Sequence, residues 1–133
     1  MKLHHVSFWT KNIDELESFY VKYFNGEILF RHSKDDFQCV FIKICNSLKI
    51  ELMTRNDLSI QNLEERVGYS HLSLEIDTKE EVNKLTDFFI KENIRVEKNK
   101  EQYEDGFYES SIRDPDGNII ELAFVDRDVN PKV

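Results

Sequence analysis

Four residues of the chain have the types and placement of a metal-binding set: His5, Glu51, His71 and Glu121. Each alternates with apolar residues: Val6 and Phe8 follow His5, Ile50 and Leu52 flank Glu51, Leu72 and Leu74 follow His71, and Ile120 and Leu122 flank Glu121. Side chains on a strand alternate between faces, so the apolar neighbours take one face and the imidazoles and carboxylates the other. Two imidazole nitrogens and two carboxylates suit a divalent transition metal, whose charge the glutamates would neutralise. Gathered without a cation, the two acids would repel one another. Ni, Zn, Co, Mn and Fe all accept such donors, so the identity of the ion stays open. A lone His or Glu on a strand is more often a surface residue than a ligand. Four that agree in type, strand phase and position are better read together.

They agree because the chain repeats itself. His5-Val6-Ser7-Phe8-Trp9 is matched by His71-Leu72-Ser73-Leu74-Glu75, and Lys49-Ile50-Glu51-Leu52 by Ile119-Ile120-Glu121-Leu122. The first strand runs over 3–9. A helix starts at the capping box of Asn12 and Glu15, carries Leu16, Phe19, Tyr20, Tyr23 and Phe24 on one face, and stops at Asn25-Gly26. Strands follow over 27–32, 37–45 and 48–54. After a connection over 55–69, with a helical turn near Leu63, the order restarts with a strand over 70–77. The second helix opens on Thr78 and Glu81, buries Val82, Leu85, Phe88 and Phe89, and closes at Asn93. Strands then fall near 95–98, 107–113 and 118–125, the last two joined by the turn Asp114-Pro115-Asp116-Gly117. The polar segment 126–133 reads as a loose tail.

The fold class is therefore α+β: one domain over 1–133 built of two βαβββ modules, 3–54 and 70–125. Their sheets are expected to curve round a shared cleft, with the helices outside. At inward parity Trp9, Phe41 and Met53 could line a pocket for a small-molecule substrate. Glu75 and Glu109 share that parity without a counterpart in the other half and read as solvated or supporting. His4 falls on the outer face, and His32 near a strand end.

Composition narrows the partners. A chain of 133 residues that is 40% hydrophobic can bury an ordinary core. A net charge of −8 without a basic cluster excludes nucleic acid and an anionic membrane surface as partners. No apolar run reaches the length of a membrane span, and the start of the sequence does not resemble a signal peptide. Cys39 and Cys45 read as free thiols, which fits a cytoplasmic location.

The two modules, the openings His5-Val6 and Gly68-Tyr69-Ser70-His71-Leu72, and the ending Asp114-Pro115-Asp116-Gly117-Asn118-Ile119-Ile120-Glu121-Leu122 resemble the vicinal oxygen chelate superfamily. Its members include glyoxalase I, fosfomycin-resistance proteins, extradiol dioxygenases, methylmalonyl-CoA epimerase and bleomycin-resistance proteins. The resemblance covers nearly the whole chain and implies that His5, Glu51, His71 and Glu121 are metal ligands. Such a His-Glu-His-Glu set is similar to that of glyoxalase I, whereas dioxygenases and fosfomycin enzymes use two histidines and one glutamate. By that analogy the chain is a metal-dependent lyase or isomerase in which Glu121 acts as base next to a carbonyl, Glu51 shares the proton traffic, and a hemithioacetal becomes a hydroxyacyl thioester. The family also implies a homodimer, with the cleft formed within one chain or across two.

The sequence departs from glyoxalase I at Trp9, where that enzyme has an arginine for the glutathione carboxylate. Arg55 and Asn56, after Glu51, are the remaining candidates for holding an anion on the substrate. The stretch from Glu101 to Asp105 is acidic where glutathione enzymes tend to be basic or glycine-rich, so another oxygen-rich substrate is open. A metal-dependent thiol transferase or dioxygenase is one alternative. A non-catalytic drug- or metabolite-binding protein of bleomycin-resistance type is another.

Overall fold

Two four-stranded sheets, each backed by one helix, carry the chain in the computed structural model, which describes residues 2–59 and 67–132. The helical turn expected near Leu63 lies outside the described residues. The element order is β1 (Val6–Trp9), α1 (Ile13–Tyr23), β2 (Glu27–Lys34), β3 (Phe37–Ile44), β4 (Leu48–Thr54), β5 (His71–Glu75), α2 (Lys79–Lys91), β6 (Val96–Gln102), β7 (Phe107–Arg113) and β8 (Ile119–Val125). The fold is α+β, each half reads βαβββ, and the chain divides into two compact units, Met1–Asn62 and Leu63–Val133.

In the first unit the strand order is β1-β4-β3-β2, and in the second β5-β8-β7-β6. The first strand of each unit runs parallel to the last, with Ser7 opposite Glu51 and Ser73 opposite Glu121. The other pairings are antiparallel. A parallel pair needs a crossover, and the helix of each unit supplies it.

Helix α1 begins where Asn12 accepts a hydrogen bond from the Glu15 backbone N–H and returns one through Nδ2 to Glu15 Oε2 at 2.9 Å. Its Leu16, Phe19 and Tyr20 are buried against the sheet face formed by Val40, Ile42, Ile50 and Leu52. Burying each such side chain stabilises by roughly 1.5–3 kcal/mol. Asn25, not Gly26, takes the left-handed conformation after the helix, with φ 50°. Gly26 serves close approach instead, because a Cβ there would lie 2.7 Å from Ile42 Cγ2 and 2.9 Å from the Tyr20 carbonyl oxygen.

Helix α2 starts at Thr78, whose side chain accepts from the Glu81 N–H, and Asn93 follows its end at φ 59°. Its buried stripe is Val82, Thr86 and Phe89, whereas Phe88, expected inside, is 43% exposed. Thr86 can take the inward position because its hydroxyl is satisfied twice, donating to the Val82 carbonyl at 2.7 Å and meeting Ser110 Oγ at 2.6 Å.

Strand β6 runs on to Gln102, well past the expected end at Lys98. Two register shifts, between Val96 and Lys98 and between Lys98 and Glu101, break its alternation and hide the strand in the sequence. Likewise β2 continues to Lys34, so His32 sits inside a strand opposite Cys39 rather than near a strand end. Strand β3 stops at Ile44, and Cys45 turns away at φ 47°. Both cysteines are free. The segment expected as a loose tail is tied back, since the Asp126 N–H donates to the Gly106 carbonyl at 2.9 Å and Asn130 closes a turn on Asp126 at 2.8 Å. Among the described residues no helix is long and apolar enough to cross a membrane.

Candidate functional site

Each unit brings one histidine to one glutamate on the sheet face turned away from its helix. In the first unit His5, just before β1, places Nε2 3.3 Å from Oε2 of Glu51 on β4. In the second, His71 at the start of β5 places Nε2 3.6 Å from Oε2 of Glu121 on β8. The pairs are equivalent because both units align the first strand with the last in the same register, and because Ile50, Leu52, Ile120 and Leu122 are drawn to the helix side. Both glutamates keep only a minor part of their side chains exposed, while the histidines are more open.

These spacings suit donors that share a cation. Two nitrogen or oxygen ligands at about 2.1 Å from one ion lie roughly 3.0–3.4 Å apart for octahedral to tetrahedral angles. The observed separations fall within a few tenths of that range, so each pair fits one edge of a coordination sphere. Among the described residues no group of three or more His, Cys, Asp or Glu side chains is close enough to hold an ion.

The surroundings of the two pairs differ. Ser7 Oγ donates to Glu51 Oε2 at 2.7 Å, and the Phe41 ring meets the His5 ring edge-on at 5.2 Å. Cys39 is buried beside Glu51; burial first, and then the Glu51 charge and hydrogen bond, push its thiol above the ordinary value. In the second unit Glu109 stands on the same face as Glu121. Burial raises its carboxyl above the ordinary range, the Glu121 charge adds to this and Asp105 also raises it, while Lys98, with Nζ 3.9 Å from Glu109 Oε1, and His71 oppose the shift. Glu75, by contrast, is an exposed partner of Arg127 at 2.7 Å.

Trp9 and Met53 are register partners on the face of Glu51. Arg55 lies over the Trp9 ring at 4.9 Å, and its Nε pairs with Asp57 Oδ1 at 2.6 Å. The Asn56 backbone N–H donates to Asp36 Oδ2 at 3.4 Å. His4 is not simply an outer-face residue, for its Nδ1 lies 2.7 Å from Nδ1 of His5.

Three residues of this face were not singled out from the sequence. Ser7 holds Glu51, and its signal was the serine two places after each histidine of the repeat. Phe37 meets Trp9 at 6.3 Å and shares the strand parity of Phe41. Phe30 meets Phe41 at 6.4 Å, but the register shift beside it in β2 concealed its face.

The sequence model of the Glyoxalase/Bleomycin resistance protein/Dioxygenase superfamily matches residues 2–122. A comparison with curated protein sequences finds no match. Among solved structures, the chain is similar to a glyoxylase/bleomycin resistance protein/dioxygenase domain from Frankia sp. EAN1pec, with a TM-score of 0.81 and 18% identity over 95% of this chain and 98% of that one. It is also similar to lactoylglutathione lyase from Agrobacterium tumefaciens, with a TM-score of 0.70 and 26% identity over 92% of each chain. A third similar structure is a mutant of the fosfomycin resistance protein FosX from Listeria monocytogenes complexed with Mn(II) and 1S,2S-dihydroxypropylphosphonic acid. There the TM-score is 0.71 and the identity 22%, over 91% of this chain and 90% of that one.

Proposed function

The chain belongs to the Glyoxalase/Bleomycin resistance protein/Dioxygenase superfamily, and from that premise we propose that it is a metal-dependent lyase or isomerase of glyoxalase I type. Its reaction is a proton transfer at the carbon next to a carbonyl of a small oxygen-rich substrate, a hemithioacetal or a similar compound. The observation that carries this reading is the repeated His–Glu pair, His5 with Glu51 at 3.3 Å and His71 with Glu121 at 3.6 Å. The similarity to lactoylglutathione lyase supports the same reading.

In this proposal the two pairs complete one another on a single divalent ion, Ni, Zn, Co, Mn or Fe, either within one chain or across a homodimer in the cytoplasm. The complex of FosX with Mn(II) supports a divalent ion in a neighbour of this fold. When bound, such an ion supplies positive charge that polarises neighbouring substrate oxygens and stabilises the negative charge developing on them. Glu121 takes the proton from the carbon next to the carbonyl. Glu51, oriented by the Ser7 hydroxyl, serves the opposite side of that carbon. Trp9, Phe41, Met53, Arg55 and Asn56 are assigned to substrate binding.

The test uses elemental analysis of purified protein and NMR of hydroxyacetone in deuterated buffer. Expected are a bound divalent metal and exchange of the hydrogens on the carbon next to the carbonyl. Glu121→Gln should retain metal but slow exchange by about 10²–10⁴-fold. Protein that binds no metal, or oxygen uptake with a catechol in place of exchange, overturns the proposal.

A further inference from the structure

Position by position, the two sheets carry the same framework and opposite chemistry. The row through Glu51 reads Ser7, Glu51, Phe41, Phe30, and the equivalent row through Glu121 reads Ser73, Glu121, Ser111, Lys98. The next row is Trp9, Met53, Cys39, His32 in the first unit and Glu75, Ala123, Glu109, Glu101 in the second. Since the second unit folds with serine, lysine and glutamates at these places, the aromatic lining of the first is not a requirement of the fold.

That lining also stays in water. Trp9 is 39% exposed and Phe30 56%, although burying such rings would stabilise the unit. The rings adjoin one another from the histidine of the pair outward: His5 meets Phe41 at 5.2 Å, Phe41 meets Phe30 at 6.4 Å, and Phe30 stacks on His32 at 6.4 Å. On the same face Phe37 of β3 approaches Trp9 at 6.3 Å, and the Arg55 guanidinium, just past β4, lies over the indole at 4.9 Å. Asp57 pairs with that guanidinium at 2.6 Å, so the cation nearest Trp9 already has its acid, and Lys34, opposite Phe37, stands at the far end of the face. A neutral aromatic ring suits this row of rings, through stacked and edge-on contacts.

We propose that the substrate carries an uncharged aromatic ring next to its vicinal oxygens and that the first unit binds this ring on the surface between His5 and Trp9. The inference rests on the reading of His5 and Glu51 as metal ligands, because that places the substrate oxygens beside Phe41.

Trp9 is the only tryptophan, so its fluorescence reports this surface alone. The experiment titrates Mn(II)-loaded and EDTA-treated protein with 2-hydroxyacetophenone and with hydroxyacetone, which share the hydroxyketone and differ in the ring. Fluorescence is read with excitation at the red edge of the indole band, and calorimetry gives the affinities. Loaded protein should bind 2-hydroxyacetophenone at least about tenfold more tightly than hydroxyacetone, with quenching of Trp9. Phe30→Lys, which carries the residue found at the equivalent place in the second unit, should lose most of that preference while its metal content stays the same. Equal affinities, no binding to metal-loaded protein, or a Trp9 signal that depends on protein concentration alone through a second copy covering the rings each overturns the proposal. Ring binding that is identical in EDTA-treated protein would uphold the aromatic surface and remove the metal reading, so the two failures are distinct.

Discussion

The Ser7 hydroxyl donates a 2.7 Å hydrogen bond to Oε2 of Glu51, the same oxygen that lies 3.3 Å from Nε2 of His5. One carboxylate oxygen is thus fixed by a neighbour on the adjacent strand and directed at the imidazole. Hydrogen bonds of this kind set the orientation of a ligand, and losing one typically costs about 10–100-fold in metal affinity. Ser7→Ala should therefore weaken metal binding by that order in a competition titration against a chelator. Its thermal unfolding should hardly change, because the bond is exposed. Unchanged affinity would mean that Ser7 does not orient Glu51.

The buried contact between Thr86 and Ser110 permits one arrangement of protons. Thr86 Oγ1 donates to the Val82 carbonyl, so its single proton is used and Ser110 must donate across the 2.6 Å contact. Thr86→Val removes the acceptor and leaves the Ser110 hydroxyl buried without its partner, at a cost of about 1–3 kcal/mol. Adding Ser110→Ala should recover part of that loss. Chemical denaturation of the two single variants and the double variant measures the coupling, and strict additivity would contradict this arrangement.

Asp114 organises the turn before β8. It is 4% exposed; its Oδ1 accepts from the N–H groups of Asp116 at 3.0 Å and Asn118 at 2.8 Å, and its Oδ2 accepts from Asn118 Nδ2 at 2.8 Å. Gly117 completes the turn at φ 84°, a conformation that side chains disfavour. Asp114→Ala leaves several donors unmet and should destabilise by about 1–3 kcal/mol. Asp114→Asn keeps one accepting oxygen and should lose less. Equal losses in thermal melts would show that the charge matters more than the geometry of acceptance.

The helices, the parallel strand pairs and the two His–Glu pairs were legible because their signals are local and regular. Val6 with Phe8, Ile50 with Leu52, and Ile120 with Leu122 alternate cleanly, and Asn12 and Thr78 announce their helices by side chains that cap them. What stayed hidden depends on partners distant in sequence. The charged run of β6 becomes a strand through pairing with β7, and its two register shifts erase the period that would have revealed it. Phe88 looked like core by spacing, yet the hydroxyl partner on β7 let Thr86 take the inward place. The aromatic character of the first sheet was legible at Trp9 and Phe41, but Phe30 joins it only because a bulge in β2 turns that residue inward.

Glu97 Oε2 accepts from Arg113 Nε at 2.6 Å and lies 3.1 Å from Nη2 of Arg95. The Arg113 hydrogen bond is the largest influence holding the Glu97 carboxyl below its ordinary range; desolvation, next in size, opposes it, and the charges of both arginines and the Arg95 hydrogen bond add to the lowering. A carboxylate with a depressed folded value binds its proton more readily in the unfolded chain. Its contribution to stability is therefore complete above the ordinary carboxylate value and vanishes as pH falls through the depressed one. Arg113 is itself held by the Gly117 carbonyl at 2.6 Å, so the pair has a defined geometry, but Glu97 is partly exposed and the contribution should be only about 0.5–1 kcal/mol. Glu97→Gln should lower the melting temperature at neutral pH, and the two proteins should converge in acid, once pH falls below the depressed Glu97 value. A difference that persisted in acid would assign the effect to packing or to a neutral hydrogen bond rather than to charge.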